Sequence, residues 1–128
     1  MHHPAAAQWL AALGEESHLY FCRFTHLGLL RLLSTVAVMG AEEVLGQPAA
    51  WQAYDRWLRD DRVSLLPEPA GLEQHFRGFS RAPQPAPKDW ADSYLAAFAQ
   101  TAGLKLVTFD RTLSRRLPGS ICVRPAGV

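Results

Sequence analysis

The sequence is short of several things that would have announced a function. Only two cysteines occur in 128 residues, Cys22 and Cys122, and they form no Cys-x-x-Cys pair. A zinc ribbon or a disulfide framework is therefore excluded. Neither charge sign is in excess: 13 Lys and Arg face 12 Asp and Glu, for a net charge of +1. A histone-like polycation and an acidic tail are both excluded, while a local basic groove is not. Long apolar runs are missing; stretches such as Leu27 to Leu30 fall far short of the ~20 residues needed to span a bilayer. No basic-then-apolar leader opens the chain, so a cytoplasmic protein without a membrane role is the expectation. No glycine-rich phosphate loop is present, and Ser17, Ser34 and Ser93 lack the context of a nucleophile elbow. The histidines are terminal (His2, His3) or scattered over different elements (His18, His26, His75), with no ligand spacing.

What is present is a core. Apolar residues make up 48% of the chain, enough to exclude a disordered segment. Pro4 opens a helix to about Leu13, with Ala6, Trp9, Leu10 and Leu13 at helical spacing and Gly14 as its stop. Residues 18–24 read as a buried, aromatic-rich strand, and Thr25 as the N-cap of a helix over 27–33. Residues 36–46 read as a loop carrying Glu42 and Glu43. A helix starts at Gln47-Pro48, with Trp51, Tyr54 and Leu58 on one face. A short strand at 63–66 and a short amphipathic helix through Leu72, Phe76 and Phe79 follow. Residues 81–88, Arg-Ala-Pro-Gln-Pro-Ala-Pro-Lys, form a surface loop. Its flanks are each too small to fold alone, so residues 1–128 read as a single domain.

Asp89 is expected to cap the strongest helix, whose apolar stripe is Ala91, Leu95, Phe98 and Ala102, with Gly103 ending it. A strand over 104–109 follows, with Asp110 at its C-terminal end, then a short helix over 112–117 and a last strand at 121–123. Helices that alternate with short strands predict parallel βαβ units in a three-layer α/β domain. Chemistry in such sheets collects at the carboxyl ends of strands.

Two carboxylates are candidates on that ground. Asp110 ends an apolar strand, and it also stands where an N-cap would. Asp92 lies three residues after Asp89 in the first turn of a helix, where acids also favour the helix dipole. The tight Gly103 connection puts the start of that helix and the C-terminal end of the strand on one side of the sheet, so Asp92 and Asp110 can converge. Converging carboxylates need a neutralising partner, and oxygen-only ligands suit Mg²⁺ or Mn²⁺. Such an ion polarises a phosphodiester and acidifies an attacking water. A third acid is needed, and Glu43 or Glu42 is the best remaining choice. Lys88 and Arg111 flank the acids, Arg115 and Arg116 follow, and Arg23 and Arg31 lie near the 18–24 strand and its helix. All can hold RNA phosphates, although for each a solvated surface charge is the plainer reading.

The segment Asp89-Trp90-Ala91-Asp92-Ser93-Tyr94-Leu95-Ala96-Ala97-Phe98-Ala99, followed by Gly103-Leu104-Lys105-Leu106-Val107-Thr108-Phe109-Asp110-Arg111, closely resembles the C-terminal half of PIN-domain ribonucleases, and most of all VapC toxins of toxin–antitoxin modules. Thr25-His26-Leu27-Gly28-Leu29-Leu30-Arg31-Leu32-Leu33 with Val38-Met39-Gly40 resembles the family's second helix and the loop after it. The resemblance implies a PIN-like domain, a short parallel sheet flanked by helices. It implies a Mg²⁺- or Mn²⁺-dependent endoribonuclease, the toxin of a type II VapBC pair, with a VapB-like antitoxin and a homodimer. Asp92 and Asp110 match the third and fourth acids of the pattern, and Thr108 a small polar residue that supports the site; Asp89 is read beside it as supporting.

Two departures stand out. The family opens with a buried central strand ending in aspartate, and no such run precedes Pro4, so the first strand and first acid are expected to be missing and the chain to be N-terminally truncated. The family's second acid falls near Gly28, where no acid stands, and Glu43 or Glu42 takes its place. Unpaired neighbours of a central strand would each cost about 1–3 kcal/mol in unsatisfied backbone groups. A second reading is accordingly an inactive remnant or binding module that keeps antitoxin and dimer contacts. A receiver-like α/β domain is a third, disfavoured because its acid cluster after the first strand and its late strand-end lysine are not evident.

Overall fold

The computed structural model describes Ala12, residues 18–108 and residues 111–122. The expected helix at Pro4–Leu13 (Ala12 aside), the site candidate Asp110 with its neighbour Phe109, and Val123 lie outside the described residues. The chain divides into two compact units, one holding the described residues up to Pro67 and the other those from Glu68 onward.

The first unit begins with strand β1 (Leu19–Phe21), helix α1 (Arg23–Leu33), short helix α2 (Val36–Met39), helix α3 (Gln47–Leu58) and strand β2 (Val63–Leu65). The strand expected over 18–24 is shorter because helix α1 starts early. Thr25 is not its N-cap; Cys22 is, and Thr25 sits at N3, where its hydroxyl oxygen accepts from the Cys22 amide at 2.9 Å. β1 and β2 are parallel, with Leu19 opposite Val63 and Phe21 opposite Leu65. The Leu19 amide donates to the Arg62 carbonyl, and the Leu66 amide to the Phe21 carbonyl, each at 2.7 Å. Leu33, Ala50 and Ala53 form the core between α1 and α3, with Leu29, Leu30, Met39 and Leu45 packed against them. Residues 36–46 are not all loop: Val36–Met39 makes one helical turn, ended by Gly40 at φ +84°. The Leu45 amide then donates to the Leu33 carbonyl at 2.9 Å, tying the turn that carries Glu42 and Glu43 to the end of α1. Tyr54 is buried as its helical spacing predicts, whereas Trp51 of the same expected face is 48% exposed.

The second unit holds helix α4 (Leu72–Phe79), helix α5 (Asp89–Ala102), strand β3 (Val107–Thr108), short helix α6 (Arg111–Ser114) and strand β4 (Ile121–Cys122). Leu72 of α4, Ala96, Ala97, Phe98 and Ala99 of α5, and Leu113 and Leu117 are buried. Small side chains on α5 let its neighbours pack close to its backbone, and His75 of α4 bonds Thr101 of α5 between ring Nδ1 and the hydroxyl at 2.8 Å. Gly103 ends α5 in the left-handed region at φ +69°, and the Leu104 amide donates back to the Ala99 carbonyl at 2.8 Å. β3 is two residues long rather than six, and it pairs in parallel with β4, Val107 opposite Ile121 and Thr108 opposite Cys122. Alternating helices and short parallel strands bear out the α/β class read from the sequence.

Candidate active site

Helix α5 organises the candidate site. Its first turn carries Asp89 and Asp92, and its αL stop leads directly to β3, beyond which Asp110 follows in the chain. Asp89 does not cap this helix. Lys88 occupies the N-cap position and makes no side-chain cap bond, and Asp89 is the first helical residue. The reason is a stronger partner. Arg116, beyond α6, donates from Nη1 to Asp89 Oδ1 at 2.5 Å, and from Nη2 to the Phe79 carbonyl at 2.6 Å and to Ser93 Oγ at 2.9 Å. The fully buried Ser93 also donates to Asp89 Oδ2 at 2.9 Å. The Arg116 guanidinium lies 6.0 Å from the centre of the Phe79 ring. One cation thus fastens the end of α4 to the first turn of α5. This spends Asp89 on an internal ion pair and withdraws Arg116 from the set of free phosphate-binding cations.

Asp92, half-buried, stands on the same turn, about 60° around the helix from Asp89 and so on the same face. Thr108 is half-buried in β3. Lys88 is exposed, and Arg111 begins α6. In the first unit, Glu42 and Glu43 are exposed in the turn after Gly40, and Arg31 is exposed on α1. Among the described residues no three His, Cys, Asp or Glu side chains gather into a metal-holding group. The expected set reaches three only with Asp110. The donors it would offer are carboxylate oxygens, which fit a hard divalent ion and not zinc or copper. Among the described residues, His75 is bonded to Thr101 and Cys22 is buried at the start of α1.

His26 is the feature of the first unit that sequence reasoning undervalued. It is 1% exposed, stacked on Tyr54 with ring centres 4.0 Å apart, and its Nδ1 lies 2.9 Å from Arg23 Nη1. A guanidinium only donates, so Nδ1 accepts and the ring proton sits on Nε2. Burial, followed by the positive charge of Arg23, pushes the pKa of His26 below its ordinary value. A histidine in the middle of an otherwise leucine-rich helical stripe was the available signal, and it marks packing.

Comparison with known proteins gives the class. The PIN domain family model matches residues 2–116. Ribonuclease VapC41 of Mycobacterium tuberculosis, in strains CDC 1551 / Oshkosh and ATCC 25618 / H37Rv, is 44% identical over 118 residues, covering 90% of this chain and 81% of the relative. The chain belongs to the PIN-domain family, and within it to the VapC type. No helix among the described residues is long and apolar enough to cross a membrane.

Proposed function

We propose that this protein is a divalent-metal-dependent endoribonuclease and the toxin of a VapBC-type pair, held in check by a VapB-like antitoxin and acting in the cytoplasm as a homodimer. The observation that carries the reading is the 44% identity to a ribonuclease across 90% of the chain, in a sequence that keeps Asp92 and Asp110 at the two ends of one helix–turn–strand unit.

Asp92, Asp110 and Glu43, or Glu42 beside it, would hold Mg²⁺ or Mn²⁺. When bound, the ion supplies a Lewis acid that polarises the phosphodiester and acidifies the attacking water. The chain's own contribution is position and charge. The carboxylates give hard oxygen donors. Arg31, Lys88 and Arg111 neutralise phosphates of the RNA and set its register without reading its sequence. Asp89 acts through Arg116, holding the turn that presents Asp92, and Thr108 supports the strand before Asp110.

The test is cleavage of RNA with Mg²⁺ by the parent chain and by Asp92→Asn and Asp110→Asn. The reading expects cleavage that needs the ion and falls at least about a hundredfold in each variant, the scale of losing a key electrostatic group in a catalytic site. Variants that cleave as well as the parent overturn the site. A parent that cleaves nothing while binding a VapB-like antitoxin favours the binding-module reading.

A further inference from the structure

A cavity of about 350 Å³ opens beside the first turn of α5. The proline-rich loop forms one wall, through Gln84, Pro85, Ala86 and Pro87, and Trp90 with Asp89 forms the other. Trp90 is 60% exposed, an unusual place for the largest apolar side chain. Its indole is nonetheless fixed, because Phe76 packs against it edge-on with ring centres 6.2 Å apart. The acid at the cavity's edge is neutralised, since Asp89 is paired with Arg116. Exposed cations stand at both ends of the loop, Arg81 and Lys88. An open, rigid aromatic face, stiff proline walls and flanking cations are what a single-stranded nucleic acid requires: a surface on which a base stacks, with positive charge for its backbone. A proline-rich or apolar peptide would have no use for the paired cations.

We propose that this cavity is a base-binding subsite, in which an unpaired RNA base stacks on Trp90 and the Gln84 amide meets its polar edge. The proposal rests on the ribonuclease reading and adds a subsite to it. Trp90 and Asp92 are two residues apart, about 200° around the helix, so their side chains lie on opposite sides of a cylinder roughly 10–12 Å across. The base taken by Trp90 therefore belongs to a nucleotide flanking the cut, not to the one being cleaved. The subsite accounts for a tryptophan two residues before the candidate acid that stays 60% exposed despite its edge-on contact with Phe76.

The experiment measures binding of a fluorescein-labelled single-stranded RNA of mixed sequence, roughly 10 nucleotides long and within the site sizes of single-strand binders. The full chain is used in EDTA, so that no cleavage intervenes. Trp90→Ala is expected to weaken binding about five- to a hundredfold, the measured range for losing one stacked base, and Trp90→Phe to restore most of it. In cleavage assays with Mg²⁺, Trp90→Ala raises KM with kcat little changed, the mark of lost substrate binding. Circular dichroism checks that each variant is folded. Folded Trp90→Ala that binds the RNA as tightly as the parent overturns the subsite, as does a Trp90→Phe no better than Trp90→Ala. If Trp90→Ala weakens binding while neither parent nor variant cleaves with Mg²⁺, the subsite stands and the nuclease reading falls.

Discussion

Replacing Arg116 by Met removes the cation that joins α4 to α5 while keeping an apolar stem against Phe79. The loss is an ion pair whose side chains are 22% and 32% exposed, together with donors to the Phe79 carbonyl and to Ser93. Breaking one partner of a buried pair costs about 3–5 kcal/mol, and an exposed pair contributes at most about 1. Partial exposure puts this site between them, at about 2–3 kcal/mol. Unfolding entropy near the midpoint is about 2.1 cal/mol/K per residue, so a chain of this length loses roughly 7–11 °C of Tm. Thermal denaturation by circular dichroism reads this directly. A double-mutant cycle with Asp89→Ala then isolates the pair, with an expected coupling of about 1–2 kcal/mol. A Tm drop under about 2 °C, or strictly additive single effects, would refute the claim that this guanidinium holds the first turn of α5.

Two further outcomes follow from named geometry. Gly103 sits at φ +69° with open space where a Cβ would go, so Gly103→Ala meets no clash and costs only the left-handed backbone, about 1–2 kcal/mol in urea denaturation; an unchanged midpoint contradicts the assignment. His26 has a lowered pKa from burial and then from Arg23. Its stability contribution is complete above the ordinary histidine pKa and is lost as pH falls below it toward the folded value. Tm of the parent should therefore fall between pH 7 and pH 5, and His26→Gln should flatten that slope; equal slopes contradict it.

The parts of the fold legible in the sequence are those fixed within one or two turns of chain. Helix α5 and its glycine stop were readable because the apolar spacing, the acids of the first turn and the αL-tolerant residue all lie within 15 residues of one another. The proline-rich segment excluded regular structure by its own chemistry. What escaped was decided by distant partners. Asp89 looked like an N-cap because that is what an aspartate before an apolar run does, yet Arg116, 27 positions later, claims its carboxylate. Thr25 looked like a cap and serves as the N3 half of a capping box, since Cys22 already starts the helix. Strand β3 was read too long at its start because Leu104 to Leu106 have strand composition but take no ladder partner. At the candidate site, the same locality placed Asp92 in the first turn of α5 and left the Arg116 network invisible.

The account depends most on Asp92 and Asp110 gripping one cation together. Titration of the full chain with Mn²⁺, followed by the electron paramagnetic resonance of the free ion, tests this without any RNA. The account predicts saturable binding that Asp92→Asn and Asp110→Asn each weaken about tenfold or more, since even outer partners of a metal site cost 10–100-fold. Parent-like Mn²⁺ affinity in both variants would contradict it.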